Sequence, residues 1–253
     1  MKRKRSENRI KTDDVLAARI AQIKMEHPFW GYRRVWASLR YRDGIPCNQK
    51  RIYRIMKERN LLCNKKMRPK TADRNHRPKP QASKPDQIWG TDMTKVFVEG
   101  DGWTYITVVL DWYTKKVVGL KAGRCSKSED WLEALDQALN TQFPEGARGK
   151  GLKLVSDNGC QPTSKAYMRY CSKVGVEQIY TSYNNPKGNA ETERFMRTMK
   201  EELIWLKEWK SSEDLSKELQ CWIEKYNADY LHSTLKYRSP NEMEEYYYKF
   251  EAA

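Results

Sequence analysis

Residues 152–159 read LKLVSDNG, and residues 188–195 read GNAETERF. In the first stretch an apolar run ends at Asp157 and is followed by Asn-Gly, which is typical of a short buried strand that stops at a turn. In the second stretch Glu193 lies near the start of the longest helical pattern in the chain. Thirty-five residues separate these two acids. An acid at a strand end and an acid on a helix therefore organise the rest of the sequence.

A third acid, Asp92, lies in another strand-like stretch, WGTDMT at residues 89–94. Three carboxylates brought together in this way would hold divalent metal ions, because Mg²⁺ prefers oxygen ligands. The sequence thus predicts Asp92, Asp157 and Glu193 as the catalytic residues and as ligands of two Mg²⁺ ions, with Mn²⁺ as a substitute. Glu191 is a rival third ligand. Two helix steps turn a side chain by about 200°, so only one of the two glutamates can face the metals.

Apolar spacing predicts a mixed sheet around these acids. Strands are expected at 88–98, 103–111, 117–120, 152–156 and 176–180, and helices at 128–140, 164–174, 190–209 and 214–227. Three antiparallel strands followed by alternating helices and strands is the order of a ribonuclease H-like α/β fold with a five-stranded sheet and flanking helices. Asp111 comes at the end of the second strand, where turn hydrogen bonding is its expected role.

Basic charge is concentrated in the first third of the chain. Residues 1–80 contain 24 lysines and arginines against 7 acidic residues, whereas residues 81–253 contain 24 basic and 26 acidic residues. A generally basic soluble protein fits this asymmetry poorly. It is expected when one part of a protein grips a polyanion and another part does chemistry.

The first third is predicted to be a small all-α helix-turn-helix domain. Helices are expected at 13–25, 32–41 and 48–59, with Asp13 and Asp14 capping the first and Asn48 the third. Val15, Ile20 and Ile23 are the expected inward positions of the first helix. A helix, a tight turn and a basic helix are typical of a DNA-binding motif. The alternative is a three-helix bundle with an ordinary solvated surface, but charge and topology together favour DNA binding.

Eight basic residues are candidate DNA contacts. They are Arg33, Arg34, Lys50, Arg51 and Arg54 in the first third, and Lys187, Arg197 and Lys200 near the acids. The predicted domains are residues 1–64, a basic proline-containing linker at 65–84, and a catalytic domain with C-terminal helices at 85–253. The linker is equally well interpreted as a strap along DNA and as a plain spacer.

Cysteine usage and hydropathy limit the location of the protein. Six scattered cysteines without a Cys-x-x-Cys pair, together with only three histidines, argue against a structural zinc site and indicate free thiols. His27 and His232 are expected to pack at helix ends, although a substrate contact is the alternative for His232. No apolar run reaches membrane length. We expect a cytoplasmic, nucleoid-associated protein without membrane contact.

Taken together, the motifs resemble those of insertion-sequence transposases related to retroviral integrases. The resemblance is closest to the second frame of the family that encodes its transposase in two overlapping reading frames. It rests on HPFWGYRR at 27–34, RIYRIM at 51–56, WGTDMT, SDNG, GNAETERF, Tyr226-Asn227, His232, Ser239-Pro240, and Lys200 seven residues after Glu193. These motifs span nearly the whole chain.

The resemblance implies a transposase with an Asp-Asp-Glu triad that cleaves and joins double-stranded DNA at transposon ends and target sites. It also implies a homo-oligomer on DNA, and an upstream-frame helix-turn-helix and coiled-coil segment as partner or fusion. Two other functions stay open from the residues themselves. One is a DNA-binding regulator with an inactive core, against which the three acids argue, and the other is a nuclease without joining activity.

Overall fold

The computed structural model describes residues 7–63, 80–181 and 188–251 and divides the chain into two compact units, at residues 1–75 and 76–253. The division falls inside the predicted linker, most of which lies outside the described residues, as does Lys187. In the part of the chain that is described, no helix is both long and apolar enough to cross a bilayer.

Residues 7–63 of the N-terminal unit form three α-helices. They are α1 (Glu7–Glu26), α2 (Tyr32–Ala37), which continues into a wider π turn, and α3 (Gln49–Glu58). The side chain of Asn48 accepts a hydrogen bond from the backbone N–H of Lys50, so the predicted cap of α3 is confirmed. The apolar side chains of the three helices are buried together, among them Ile20, Ile23, Val35, Leu39, Ile52 and Ile55.

The predicted start of the first helix is wrong. Helix α1 begins at Glu7, so Asp13 and Asp14 lie inside it and form ion pairs with arginines near α3 instead of capping. Val15 is 72% exposed, not inward. The buried stripe begins one residue later, at Leu16, and continues at helical spacing through Ile20 and Ile23.

The second unit is built on a five-stranded mixed sheet. Its strands are β1 (Ile88–Val98), β2 (Gly102–Asp111), β3 (Val117–Gly123), β4 (Lys153–Ser156) and β5 (Glu177–Tyr180), in the order β3-β2-β1-β4-β5. The first three strands are antiparallel, while β4 pairs in parallel with both β1 and β5. All five predicted strands are confirmed.

Helices flank this sheet. They are α4 (Ser128–Gln142), α5 (Lys165–Val174), α6 (Ala190–Glu202), α7 (Ser212–Asp229) and α8 (Pro240–Tyr246). The main core lies between the sheet and α4 and α5, where Trp89, Trp131, Leu135, Leu152, Leu154 and Tyr167 are buried together. Burial stabilises the fold by roughly 1.5–3 kcal/mol for each large apolar side chain. This core fixes β1, which carries Asp92, and β4, which ends immediately before Asp157.

Helix α6 is shorter than predicted. It ends at Glu202, and the chain turns at Leu203 into a short 3₁₀ segment, Ile204–Leu206. The buried Trp209 closes this turn by donating its indole N–H to the carbonyl of Ile204 at 3.1 Å. Leu206 is consequently 46% exposed and does not extend the buried stripe of the helix.

Candidate active site

The parallel pairing of β1 with β4 brings the two aspartates to one edge of the core. Gly90 of β1 is aligned with Val155 of β4. The same register continued by two residues aligns Asp92 with Asp157, and neighbouring strands lie about 4.8 Å apart. Asp157 is exposed just beyond β4, where its Oδ1 accepts the backbone N–H of Gly159 at 3.1 Å.

Three contacts hold the start of α6 against β1 and the turn after β2. The side-chain amide of Asn189 donates to the carbonyl of Thr91 at 3.0 Å. The indole N–H of Trp112 donates to Oγ1 of Thr192 at 3.1 Å. A Cβ on Gly90 would lie only 2.1 Å from that same Oγ1, so the close approach requires glycine. These contacts place Glu193 beside the strand that carries Asp92.

Sequence reasoning missed these positioning residues. A glycine inside a strand often marks the close approach of another segment, so Gly90 carried a usable signal. Trp112 and Thr192 gave no such signal in the sequence, because these two contacting residues are 80 residues apart in the chain.

The acids share one electrostatic environment. Burial is the main reason why the pKa of Asp92 is raised to about 6, and the negative charges of Asp157 and Glu193 raise it further. The backbone N–H of Met93, which donates to Asp92 Oδ1 at 2.8 Å, and the charge of Lys200 act in the opposite direction. Asp157, Glu193 and Lys200 therefore all act on Asp92.

The rival glutamate has a different environment. Glu191 forms an ion pair with Lys115, whose Nζ lies 2.9 Å from Glu191 Oε2. Lys115 belongs to the turn between β2 and β3. Glu193 is among the charges that raise the pKa of Asp92.

The donor set fits a divalent cation by its chemistry. No three His, Cys, Asp or Glu side chains in residues 7–63, 80–181 and 188–251 lie close enough together to enclose a metal ion. Nevertheless, all three side chains at this edge are carboxylates, the ligands that Mg²⁺ prefers. A cation beside them would also relieve the repulsion that raises the pKa of Asp92.

The other residues singled out in this unit have ordinary contacts. Arg197 is 63% exposed, and its Nε lies 2.7 Å from Oε1 of Glu201 on the same helix. Asp111 accepts hydrogen bonds from the backbone N–H of Thr114 at 2.8 Å and from its hydroxyl at 2.6 Å, which confirms the predicted turn role. The ring of His232 packs against Tyr226 and Tyr230, as predicted.

The candidate DNA contacts in the N-terminal unit divide into two groups, exposed side chains and side chains in ion pairs. Arg33 and Lys50 are exposed. Arg51 Nε and Arg54 Nη2 instead each lie 2.7 Å from a carboxylate oxygen of the buried Asp13. Burial raises the pKa of Asp13, but the hydrogen bonds from Arg54 and Arg51 outweigh it and hold the pKa below its ordinary value. These two arginines thus connect α3 to α1.

Two smaller contacts complete the N-terminal unit. The guanidinium of Arg34 lies 5.5 Å from the ring centre of Trp30. His27 stacks on the same indole with ring centres 3.8 Å apart, so its predicted packing at a helix end is confirmed.

Known protein families match both units. The HTH-like domain family matches residues 11–70, and two integrase core domain families match residues 82–186 and 174–240. Transposase InsD of insertion element IS2A/D/F/H/I/K from Escherichia coli is 29% identical over 238 residues, covering 91% of this chain and 79% of the relative. These matches together support an insertion-sequence transposase with an integrase-like core. The predicted helix-turn-helix unit and integrase-type core of this transposase are both confirmed.

One solved structure supports the fold of the transposase. A chain of the simian T-cell lymphotropic virus intasome, solved in complex with the PP2A regulatory subunit B56 gamma, matches 82% of this chain and 73% of its own length. Its TM-score is 0.52 at 16% identity. The catalytic domain of Mos1 mariner transposase matches 66% of this chain and 78% of its own length, with a TM-score of 0.48 at 16% identity.

Proposed function

We propose that this transposase cleaves the ends of an insertion sequence and joins them to target DNA by metal-dependent phosphodiester chemistry. Asp92, Asp157 and Glu193 are the catalytic residues and the metal ligands in this proposal. The observation that carries it is the effect of Asp157 and Glu193 on the pKa of Asp92. A buried carboxylate whose pKa is raised by neighbouring acids is typical of a functional site.

Each element of the site has a defined task. The backbone N–H groups of Met93 and Gly159 orient the carboxylates of Asp92 and Asp157. Two Mg²⁺ ions, or Mn²⁺ in their place, would supply activation of the attacking hydroxyl and stabilisation of the leaving oxygen. Lys200 brings a positive charge close to Asp92 and is suited to a DNA phosphate beside the acids.

The two units share the work of binding DNA. Arg33 and Lys50, exposed on a helix-turn-helix, are placed to contact phosphates and bases, with Arg34 beside them. Arg51 and Arg54 act indirectly, by holding α3 against Asp13.

The catalytic unit supplies the remaining DNA contacts. Arg197 and Lys200, on the helix of Glu193, complete the proposed set together with Lys187, which precedes this helix in the sequence. We assign residues 1–64, 65–84 and 85–253 to DNA binding, a linker and catalysis, in a homo-oligomer that assembles on DNA at the nucleoid. An upstream-frame helix-turn-helix and coiled-coil segment is its proposed partner or fusion.

A joining assay with labelled end DNA tests the proposal. Asp157→Asn is expected to lower cleavage and joining by roughly 10³-fold, because it removes a charged ligand without changing the side-chain shape. Asp214→Asn, at an exposed aspartate on α7, is the matched control and should retain activity. Undiminished joining by Asp157→Asn contradicts the proposal, and cleavage without joining narrows it to a nuclease.

The third ligand needs its own comparison. Glu193→Gln is expected to abolish joining, while Glu191→Gln is expected to retain it, because Glu191 is engaged with Lys115. The two substitutions make the same chemical change two positions apart on one helix. Loss of activity in Glu191→Gln alone would show that the wrong glutamate has been assigned.

A further inference from the structure

A cavity of about 550 Å³ lies beside the first turn of α6, on the side that carries Glu191. Glu191 and Glu193 are two positions apart, so this side is turned by about 200° from the acid cluster. Three parts of the catalytic unit enclose the cavity, namely residues 80–82, the turn after β2, and the segment from Thr234 to Tyr246. Its volume is in the usual range for a small-molecule site.

The walls combine aromatic rings with cations. Trp112, Tyr113 and Tyr246 line the cavity. The guanidinium of Arg238 lies 4.0 Å from the ring centre of Tyr246, so the ring holds it in place. A base stacks on such rings, and a phosphate binds a guanidinium of this kind.

The cavity has a positive charge that no carboxylate cancels. Lys115 is paired with Glu191, which leaves Lys236 and Arg238 as the uncompensated cations of the lining. Among the residues that the structure describes, neither has a carboxylate within ion-pair distance. The site therefore favours an anion that also carries an aromatic group.

The loop that presents these cations is tightly built. The backbone N–H of His232 donates to the carbonyl of Arg238 at 3.1 Å, and that of Tyr237 donates to His232 at 2.8 Å. Lys236 and Tyr237 have φ angles of 55° and 62°, and Lys115 opposite has 65°. Within the described ranges, only five non-glycine residues have positive φ, and these are three of them. Strained backbone of this kind is concentrated at ligand sites.

We propose that this cavity binds one nucleotide, with the base against the aromatic rings and the phosphate on Lys236 and Arg238. The nucleotide is an unpaired one from the DNA strand, so the proposal deepens the transposase function above and rests on it. Ala190 and Glu191 line the cavity and begin the helix that carries Glu193. A bound nucleotide thus fixes the DNA strand to the helix of the third acid.

A fluorescence titration of the full chain tests this site. The probe is a DNA duplex with one unpaired 2-aminopurine, and the same duplex fully paired is its reference. The titration uses the Asp157→Asn protein in EDTA. Stacking in the cavity is expected to change the probe fluorescence, and the protein is expected to bind the unpaired duplex roughly tenfold more tightly than the paired one. Because metal and catalysis are both removed, the result is independent of whether the chain cleaves DNA.

Two pairs of variants separate the cavity from general charge. Lys236→Ala with Arg238→Ala is expected to remove the tenfold preference for the unpaired duplex. Arg169→Ala with Lys173→Ala removes the same charges from the exposed side of α5 and is expected to leave the preference intact. Tyr113→Phe should keep the change in fluorescence and Tyr113→Ala should lose it. The proposal is wrong if the two double variants show the same preference for the unpaired duplex.

Free deoxyadenosine monophosphate distinguishes the source of the nucleotide. Displacement of the probe by this nucleotide, but by neither deoxyadenosine nor inorganic phosphate, shows that base and phosphate are both recognised. If the free nucleotide binds as tightly as the unpaired duplex, the assignment to a DNA strand is overturned. If the protein binds the paired and the unpaired duplex equally well, the proposed nucleotide site is wrong. The catalytic proposal is not affected by that result.

Discussion

Charge is used in opposite ways in the two units of this transposase. In the N-terminal unit opposite charges meet, with Arg51 and Arg54 on Asp13 and Arg19 on Asp43. In the catalytic unit like charges meet, with Asp157 and Glu193 acting on Asp92. Opposite charges in contact stabilise a fold, whereas like charges in contact cost stability and are retained for function. At these two places the charge pattern supports a structural role for Asp13 and the proposed functional role of Asp92, Asp157 and Glu193.

The largest effect is expected when the cluster of like charges is neutralised. Asp92→Asn should lower joining by roughly 10³-fold, because it removes the proposed ligand at the centre of the cluster. The same change should raise stability by about 1 kcal/mol at neutral pH, since the buried charge and its repulsion are gone. Joining assays and thermal unfolding measure the two effects. Retained joining, or a loss of stability, would break the contrast between the units.

A smaller effect is expected from crowding the contact between β1 and α6. Gly90→Ala should destabilise the catalytic unit by about 3 kcal/mol, because the added methyl group would overlap Thr192 and Trp112. Hydrogen exchange of peptides from β1 and α6 measures the loss of protection. Gly31→Ala is the control in the other unit, since a Cβ there meets nothing within 4 Å. If Gly90→Ala loses no more protection from hydrogen exchange than Gly31→Ala does, the close contact between β1 and α6 is wrong.

Breaking the pairing of opposite charges should affect stability rather than chemistry. Asp13→Asn is expected to destabilise the N-terminal unit by about 2 kcal/mol, because Arg51 and Arg54 lose their charged partner. Asp14→Asn breaks an exposed pair with Arg59 and should change little. Hydrogen exchange of peptides from α1 and α3 compares the two. An equal response to both substitutions would remove the structural role given to Asp13.

Arg33 and Lys50 test the contrast between the two units by a different quantity, the affinity of the protein for DNA. Lys50→Ala should weaken DNA binding without affecting protection of the helices, because the side chain is exposed.

The smallest effect concerns a second pair of acids in the catalytic unit. Burial and the nearby charge of Asp111 raise the pKa of Asp86 to about 7. An unfolded aspartate titrates near 3.8, so between these values the folded chain holds the extra proton and stability falls as pH rises. Asp86→Asn removes this dependence and should be more stable by roughly 1 kcal/mol at pH 7.5, after allowance for solvent screening.

Unfolding of both proteins from pH 4 to pH 8 tests this expectation. Asparagine keeps the oxygen that accepts the indole N–H of Trp89 at 3.0 Å. It also tolerates the positive φ of 58° at this position. Parallel stability curves for the two proteins would assign the pH dependence to other groups.

The sequence predicts the sheet well because strand signals are local. Alternation and turn residues place β1 at its observed bounds, and the parallel pairing of β4 follows from the order of elements. The helix ends are less well predicted. Asp13 has the chemistry of a cap, and only its ion pairs with Arg51 and Arg54, 38 and 41 residues away, reveal its role.

The candidate site shows the same limit. Spacing and the family resemblance identify the three acids, but they only favour Glu193 over Glu191. The ion pair of Glu191 with Lys115 is a contact across the fold that no local pattern encodes. The anchoring residues Asn189 and Thr192 also act through partners that are 98 and 80 residues away.

The anchoring of α6 on β1 has a consequence for how the enzyme forms. Contacts between segments 80 to 98 residues apart close late, because the entropy of a long loop must be overcome before they can form. During synthesis both aspartates leave the ribosome before α6 exists. We therefore expect Glu193 to reach its place after the two aspartates. Under the proposed function, a partly made or partly folded chain is expected to bind DNA through its early helices but not to cut it.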